Sequence, residues 1–242
     1  MNDMNEWKKS YAPAEVEESQ VAIYLAKVMG WMCVGLLTTF VAALLCLTAP
    51  DFVDMLIYNR FLLYSILIIQ LLVAVGMRAA VSKISPLIAT VMFMVYSALM
   101  GVTLSMIGVA FQAQSVAQVF LISAAVFLSM ATYGFVTKKD LTQIGGLGMA
   151  ALVGIILAGL VNFFLRSSML DLIISCVAVF AFIGLTAYDT QNIKNIYLTM
   201  RDAGYEDDSP EIRKVAIFGA LTLYLDFVNL FLRLLRIMGK RR

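Results

Sequence analysis

The feature that most constrains this chain is the stretch Ile84–Thr137, which contains no charged residue. About 20 apolar residues are enough for a helix to cross the hydrocarbon core of a bilayer. The stretch is too long for one such helix, and the polar residues Gln112–Ser115 mark a turn inside it. It therefore predicts two membrane-spanning helices, Leu87–Phe111 and Val116–Val136.

The rest of the chain repeats this pattern. Hydrophobic residues make up 62% of the sequence and charged residues 14%, whereas soluble domains carry about 25% charged residues. No span alternates strictly, as a barrel strand would. The sequence predicts an all-α integral membrane protein with seven transmembrane helices, in which residues 1–26 form a polar N-terminal tail and residues 27–242 a single domain. The five further spans are Val28–Ala49, Phe61–Met77, Leu147–Leu165, Leu172–Tyr188 and Ala216–Met238.

Local signals predict where several helices begin and end. Pro50 and Asp51 are expected to end the first span. The sixth helix should continue beyond the membrane through Asn195, because nothing interrupts it before Gly204. Ser209-Pro210-Glu211 is typical of a helix start, with an N-cap residue, a proline and an acid in order. Small residues in the fifth span are expected to allow close helix approach; they are Ala150, Gly154 and Gly159.

The distribution of Lys and Arg predicts a cytoplasmic N-terminus, because basic residues concentrate in cytoplasmic segments. With that orientation, only Arg60 and Arg166 lie outside before the last span. The inside segments hold Lys8, Lys9, Lys27, Arg78, Lys83, Lys138, Lys139, Lys194, Arg201, Arg213 and Lys214. The basic C-terminal residues from Arg233 onward break the pattern. Either the last segment re-enters the membrane and returns, or it spans fully because earlier helices have set the orientation; we favour the full span.

Asp226 lies in the middle of the last span. A carboxylate in hydrocarbon costs roughly 2.5–3.5 kcal/mol on insertion scales, so an ionisable residue at this depth is a functional-site hypothesis by default. The alternative is that Asp226 only hydrogen-bonds to a neighbouring helix as part of packing.

Asp189, at the end of the sixth span, is the expected partner of Asp226. The midpoint between the two lies at Asp207 and Asp208, inside the connection between the last two helices. An antiparallel hairpin about that connection would bring both acids to about the same depth. Two nearby carboxylates do not ionise independently, so the pair could sense pH in a chain that has no histidine.

Helical periodicity adds amide and hydroxyl groups to this pair. The expected polar lining, at spacings of three and four residues from the two acids, is Thr186, Asn192, Thr222 and Asn229. Carboxylate and amide oxygens suit a hard cation such as Ca²⁺, held transiently by Asp189 and Asp226. Arg78 is a candidate gating countercharge, although it could equally be a topology anchor. Without further observations, the polar stripe could also be simply how two helices pack.

Other functional classes find little support. The sequence has no nucleophile-elbow or P-loop motif, and without histidine it cannot form a His-based zinc site, so we expect no enzyme activity and no resident cofactor. A net charge of +2 gives no indication of nucleic-acid binding. The three cysteines, which are Cys33, Cys46 and Cys176, lie in apolar segments and are expected to be buried small side chains.

Three motifs resemble the Bax inhibitor-1 (transmembrane Bax inhibitor motif) family: GLTAYDTQNIK at Gly184–Lys194, LYLDFVNLFLRLLR at Leu223–Arg236 and TKKDLT at Thr137–Thr142. The resemblance covers nearly the whole chain and is that of a bacterial member. It implies a central last helix wrapped by the other six and a pH-sensitive Ca²⁺ leak. The family's pH-sensing pair would correspond to Asp189 and Asp226, and its latch arginine to Arg78. Some members carry an acid in the middle of the second span, where this chain has Gln70.

The function that we expect is therefore a pH-gated cation leak, with Ca²⁺ as the favoured ion. Two alternatives remain open: a non-transporting regulator of membrane proteins, of the membrane-protease or cell-death type, and a proton/Ca²⁺ exchanger that uses the same acids. The expected partners are membrane lipid, Ca²⁺ and protons and, for the regulator, a membrane protease or other membrane proteins. The expected location is the inner (plasma) membrane of a bacterium.

Overall fold

The computed structural model describes residues 18–80 and 83–242. Apart from one isolated bridge between Phe111 and Arg241, these residues form helices joined by short connections. The helices are α1 (Glu18–Leu47), α2 (Pro50–Tyr58), α3 (Arg60–Ala79), α4 (Pro86–Ala110), α5 (Ala113–Val136), α6 (Thr142–Leu165), α7 (Ser168–Asp202) and α8 (Pro210–Met238). All but α2 are long and apolar enough to cross a membrane. The prediction of seven spanning helices is thus confirmed.

Two features near the beginning of the described chain were not expected. Helix α1 already includes Glu18, so the boundary expected at residue 26 lies inside a helix; residues 1–17 of the expected tail lie outside the described residues. The first span ends at Leu47, just before Pro50 and Asp51 as predicted, but these two residues also begin the short helix α2. A proline in the first turn and an acid beside it favour a helix start as much as a stop.

The connection between α7 and α8 confirms the predicted continuation of the sixth helix. Helix α7 runs to Asp202 and ends in a Schellman turn, in which Gly204 has a φ of 87° and the amide of Tyr205 donates to the carbonyl of Met200 at 3.1 Å. Ser209 then caps α8 by accepting a hydrogen bond from the amide of Ile212 at 3.3 Å.

Helix α8 is the most buried of the spanning helices. In its most apolar 18-residue segment, 67% of the residues are buried, compared with 11% to 33% in the corresponding segments of the other six spanning helices. Its extensive contacts are with α1, α4, α5 and α7, while α3 packs on α4 and α6 packs on α7. Contact of α8 with all six other spans stays a prediction.

The last helix crosses the bundle without returning. It is one unbroken helix of 29 residues, roughly 43 Å long at 1.5 Å per residue. The tail that follows it lies against the α4–α5 connection, where the amide of Gln112 donates to the carbonyl of Lys240 at 3.0 Å and that of Arg242 to Ala110 at 3.1 Å. This favours the full span over re-entry. We call the side of the α5–α6 and α7–α8 connections the first end, and that of the α4–α5 connection and the C-terminus the second end.

Close approach of α6 to α7 depends on other glycines than those predicted. A Cβ added to Gly154 or Gly159 would meet nothing within 4 Å. In contrast, a Cβ on Gly145 would lie 2.6 Å from the ring of Tyr188, and one on Gly148 would lie 2.8 Å from Leu185. The prediction was therefore right about the helix and wrong about the residues, because composition does not show which face of an apolar helix meets its neighbour.

Candidate functional site

Asp226 lies at the centre of the most buried helix. Its side chain is 6% exposed, and Leu223, Phe227 and Leu230 around it on α8 are also buried. A carboxylate taken out of water in this way costs several kcal/mol unless other groups compensate it. The fold thus buries a carboxylate, whose removal from water costs free energy, in the most buried of the spanning helices.

Asp189 and two of the predicted lining residues meet in one cavity at the first end. The cavity has a volume of about 360 Å³. Asp189 and Asn192 line it from α7, and Thr222 lines it from α8. Its remaining lining is mainly apolar and comprises Met149, Tyr188, Ile193, Ile196, Val215, Phe218 and Gly219. Three of the side chains predicted from helical periodicity, all of which carry oxygen, therefore face a common space.

The register of α7 against α8 shifts the two acids relative to each other. A Cβ on Gly219 would lie 3.3 Å from Ile193, so these residues are level. In an antiparallel pair with this register, Asp189 is level with Leu223, and Asp226 lies three residues deeper, about 4.5 Å along the axis. The two acids are therefore offset by a little less than one helical turn, where about the same depth was expected. The reason is that α7 ends at Asp202 and α8 begins at Pro210, so the hairpin is centred nearer Glu206 than Asp207.

Thr186 is at the depth of Asp226 but does not line the cavity. It is fully buried, and its hydroxyl donates to the carbonyl of Phe182 at 2.8 Å. Thr190, which sequence reasoning missed, does the same to the carbonyl of Thr186 at 2.8 Å. Both hydroxyl hydrogens are thus donated within α7. Each threonine still has an oxygen lone pair with which it could bind a cation.

Asn229 opens to a different cavity, at the second end. This cavity has a volume of about 330 Å³, and Arg233, Arg236 and Arg241 also line it. The side-chain amide of Asn229 donates to the carbonyl of Leu225 at 2.8 Å. The predicted polar stripe of α8 is therefore divided: Thr222 faces one cavity, Asn229 faces the other, and Asp226 lies buried between them.

Beside the first cavity, hydrogen bonds hold α7 against the end of α5 and the α5–α6 connection; we call this set of bonds the clamp. The side chain of Gln191 accepts a hydrogen bond from the amide of Leu141 at 2.9 Å and donates to the carbonyl of Lys139 at 2.8 Å. The ammonium group of Lys194 donates to the carbonyl of Phe135 at 3.0 Å and lies 5.4 Å from its ring centre. Two of the motifs that carry the family resemblance thus contact each other, a relation that no spacing along the chain could show.

Asp140 has a local role inside this connection. Its carboxylate accepts hydrogen bonds from the hydroxyl of Thr142 at 2.6 Å and from the amide of Thr142 at 2.9 Å. Both bonds lower the pKa of the exposed Asp140 carboxyl, and the bond from the hydroxyl contributes more than the bond from the amide. Asp140 therefore stabilises the first turn of α6.

The remaining predicted positions have separate outcomes. Arg78 belongs to the last turn of α3, and its side chain lies outside the described residues. Gln70 joins α3 to α4 by donating to the carbonyl of Leu99 at 2.8 Å and to the hydroxyl of Thr103 at 2.7 Å. Among residues 18–80 and 83–242, no three acidic or cysteine side chains are grouped as in a resident metal site. Transient Ca²⁺ binding by Asp189 and Asp226 and direct contact between them stay predictions.

Seven apolar helices and a carboxylate buried in the most enclosed of them define a multi-pass integral membrane protein with a polar site at its centre. The chain belongs to the family described as inhibitor of apoptosis-promoting Bax1, whose model matches residues 21–242. The resemblance seen in the sequence motifs is confirmed.

Bacterial membrane proteins are among its relatives. Inner membrane protein YbhL of Escherichia coli is 45% identical over 219 residues, which cover 90% of this chain and 92% of YbhL. A protein of Borreliella burgdorferi is 42% identical over 219 residues, which cover 90% of this chain and 92% of the relative. Protein RP147 of Rickettsia prowazekii is 36% identical and covers 90% of each chain.

Proposed function

We propose that this chain is a pH-sensitive cation leak, with Ca²⁺ as the favoured ion, in a bacterial inner membrane and with its N-terminus in the cytoplasm. The observation that carries the proposal is the division of the polar stripe on α8. Thr222 and Asn229 open to cavities at opposite ends of the bundle, and the buried Asp226 lies between them. Thr222 and Asn229 are two helical turns apart, about 10 Å along the axis.

The residues of the first cavity suit the capture of a hard cation. Asp189 contributes a half-buried carboxylate, and Asn192 and Thr222 contribute neutral oxygens in the same cavity. Ca²⁺ takes six to eight oxygen ligands and accepts a mixture of carboxylate, carbonyl and water. A cation held by one carboxylate and a few neutral oxygens keeps much of its water and can leave again, as passage requires.

In this proposal Asp226 closes the cation pathway, and Asp226 and Asp189 together sense pH. A cation leaving the first cavity would next meet the Asp226 carboxylate, about one turn deeper. The protonation of either acid alters the charge felt by the other and by the cation, because charges interact strongly in a poorly solvated core. Arg78 would add a second control by pairing with Asp189 when the pathway is closed.

The test is Ca²⁺ influx into liposomes that contain the purified protein and a Ca²⁺ dye, measured from about pH 5 to 8, the range that a raised carboxyl pKa could reach. Asp189→Asn and Asp226→Asn should lose the pH dependence. The matched control is Asp202→Asn, which removes an exposed acid from the end of the same helix α7.

The outcomes separate the three functions. Influx that follows the Ca²⁺ gradient and depends on both acids supports the leak. Uphill Ca²⁺ movement driven by an imposed pH gradient would replace the leak with proton/Ca²⁺ exchange. Absence of influx from folded protein at every pH would refute transport and leave regulation of other membrane proteins as the function to pursue.

A further inference from the structure

The second-end cavity is built from the ends of three segments. Ile107 and Phe111 line it from the end of α4, Arg233 and Arg236 from the end of α8, and Arg241 from the C-terminal tail. The tail is held in place there: the amide of its Lys240 donates to the hydroxyl of Ser115 at 2.9 Å, in addition to the two backbone bonds to the α4–α5 connection. The position of Arg241 is therefore part of the fold.

Positive charge exceeds negative charge in this cavity. Arg236 forms a salt bridge with Asp171, at the start of α7. Arg233 and Arg241 take part in none of the ion pairs formed within residues 18–80 and 83–242. Arg233 is half-buried, so its charge is screened by water less than that of a surface arginine. Two guanidinium groups thus face a cavity whose lining contains no carboxylate, and the nearby Asp171, which also interacts electrostatically with Arg233, is paired with Arg236.

The other walls of the cavity are apolar. Ile107, Leu232 and Leu235 line it, and the Arg241 guanidinium lies 6.0 Å from the ring centre of Phe111. The volume of about 330 Å³ lies at the lower end of the roughly 300–1,000 Å³ usual for ligand pockets. Arginine forks match the paired oxygens of a phosphate group, and basic pockets between membrane helices bind anionic lipid headgroups.

We propose that this second-end pocket binds a phosphate group through Arg233 and Arg241, either that of an anionic phospholipid or that of a free phosphate ion. The apolar walls suit the first part of a lipid acyl chain, and Asp171 keeps Arg236 paired at the rim. The proposal is independent of ion conduction, since it uses neither Asp189 nor Asp226.

The experiment measures the thermal unfolding midpoint of the purified full-length protein in neutral detergent. One arm titrates phosphatidylglycerol against phosphatidylcholine, and the other titrates inorganic phosphate against chloride at equal ionic strength. Each arm compares the wild type with Arg233→Gln/Arg241→Gln. The matched control is Arg60→Gln, which removes an exposed charge at the same end but outside the pocket.

The expected result is a midpoint that rises with phosphatidylglycerol and not with phosphatidylcholine. The double variant should need a phosphatidylglycerol concentration at least about tenfold higher, because it loses two sets of charged hydrogen bonds. The control should behave like the wild type. A rise with inorganic phosphate alone would identify the free ion as the ligand. If neither phosphate source raises the midpoint, or if Arg60→Gln weakens the response as much as the double variant, the proposal is wrong. Should the double variant fail to fold, Arg241→Gln in the exposed tail carries the same comparison.

Discussion

The contact of Gly134 with Ala187 makes a sharp prediction about helix packing beside Asp189. A Cβ added to Gly134 would overlap the carbonyl oxygen of Ala187 and lie 2.9 Å from its carbonyl carbon. These are backbone atoms of α7, so they cannot rotate away as a side chain could. Gly134→Ala should therefore separate α5 from α7 and cost about 1–3 kcal/mol, the usual range for overpacking.

Gly154 on α6 provides the matched control with the opposite sign. A Cβ there meets nothing within 4 Å, and alanine is favoured over glycine in a helix by up to about 1 kcal/mol. Gly154→Ala should be neutral or slightly stabilising. The two variants introduce the same methyl group into spanning helices, yet they should differ in unfolding free energy by about 2 kcal/mol.

The assay is denaturant unfolding of each purified variant in the same detergent, followed by helical circular dichroism. Ala187 precedes Asp189 by two residues on α7, so Gly134→Ala should also change Ca²⁺ influx at fixed pH, whereas Gly154→Ala should not. Equal unfolding free energies for the two variants would refute the packing argument, because helix propensity alone would then explain both.

Three further predictions concern other parts of the molecule. Tyr224→Phe should cost about 0.6–1.5 kcal/mol of unfolding free energy, because its buried hydroxyl lies 2.6 Å from that of Thr39; a double-mutant cycle with Thr39→Val measures the coupling. Asp140 has a lowered pKa in the folded protein, so its stabilising effect is complete above the ordinary value of 3.8 and is lost as the pH falls through the lowered one; Asp140→Asn should flatten that part of an acid-unfolding curve. Arg78→Gln should increase Ca²⁺ influx at constant pH if Arg78 holds the pathway closed, as liposome assays can measure.

Each of these predictions has a control and a contrary outcome. Tyr64→Phe removes a hydroxyl from a half-exposed ring and should cost less than Tyr224→Phe; equal costs would contradict a specific buried bond. An acid-unfolding curve that Asp140→Asn leaves unchanged would show that the Thr142 bonds contribute no stability. Lys83→Gln removes a positive charge from the α3–α4 connection, close in sequence to Arg78 at the end of α3, and an equal rise in influx would indicate a surface-charge effect.

Much of the candidate site could be predicted because helical geometry is local. The spacing of Asp189 and Asn192 on one helix and the position of Thr222 on the next were sufficient to expect a shared polar space, and the three line one cavity. The depth of Asp226 relative to Asp189 could be predicted only to within about one helical turn. It depends on where α7 stops, and Gly204 sets that point through its left-handed conformation.

The sequence by itself determined the seven spans, their helical form and the acid in the last one. A bilayer offers no hydrogen-bond partner to an open backbone, so long apolar segments have little choice but to become helices. Only the tertiary structure decided which glycines touch, how Gln191 and Lys194 clamp a distant connection, and how the C-terminal arginines come to share a pocket with α4. Those relations join residues far apart in the chain, and in apolar helices with little amphipathic pattern their physical basis is the shape of the packed surfaces.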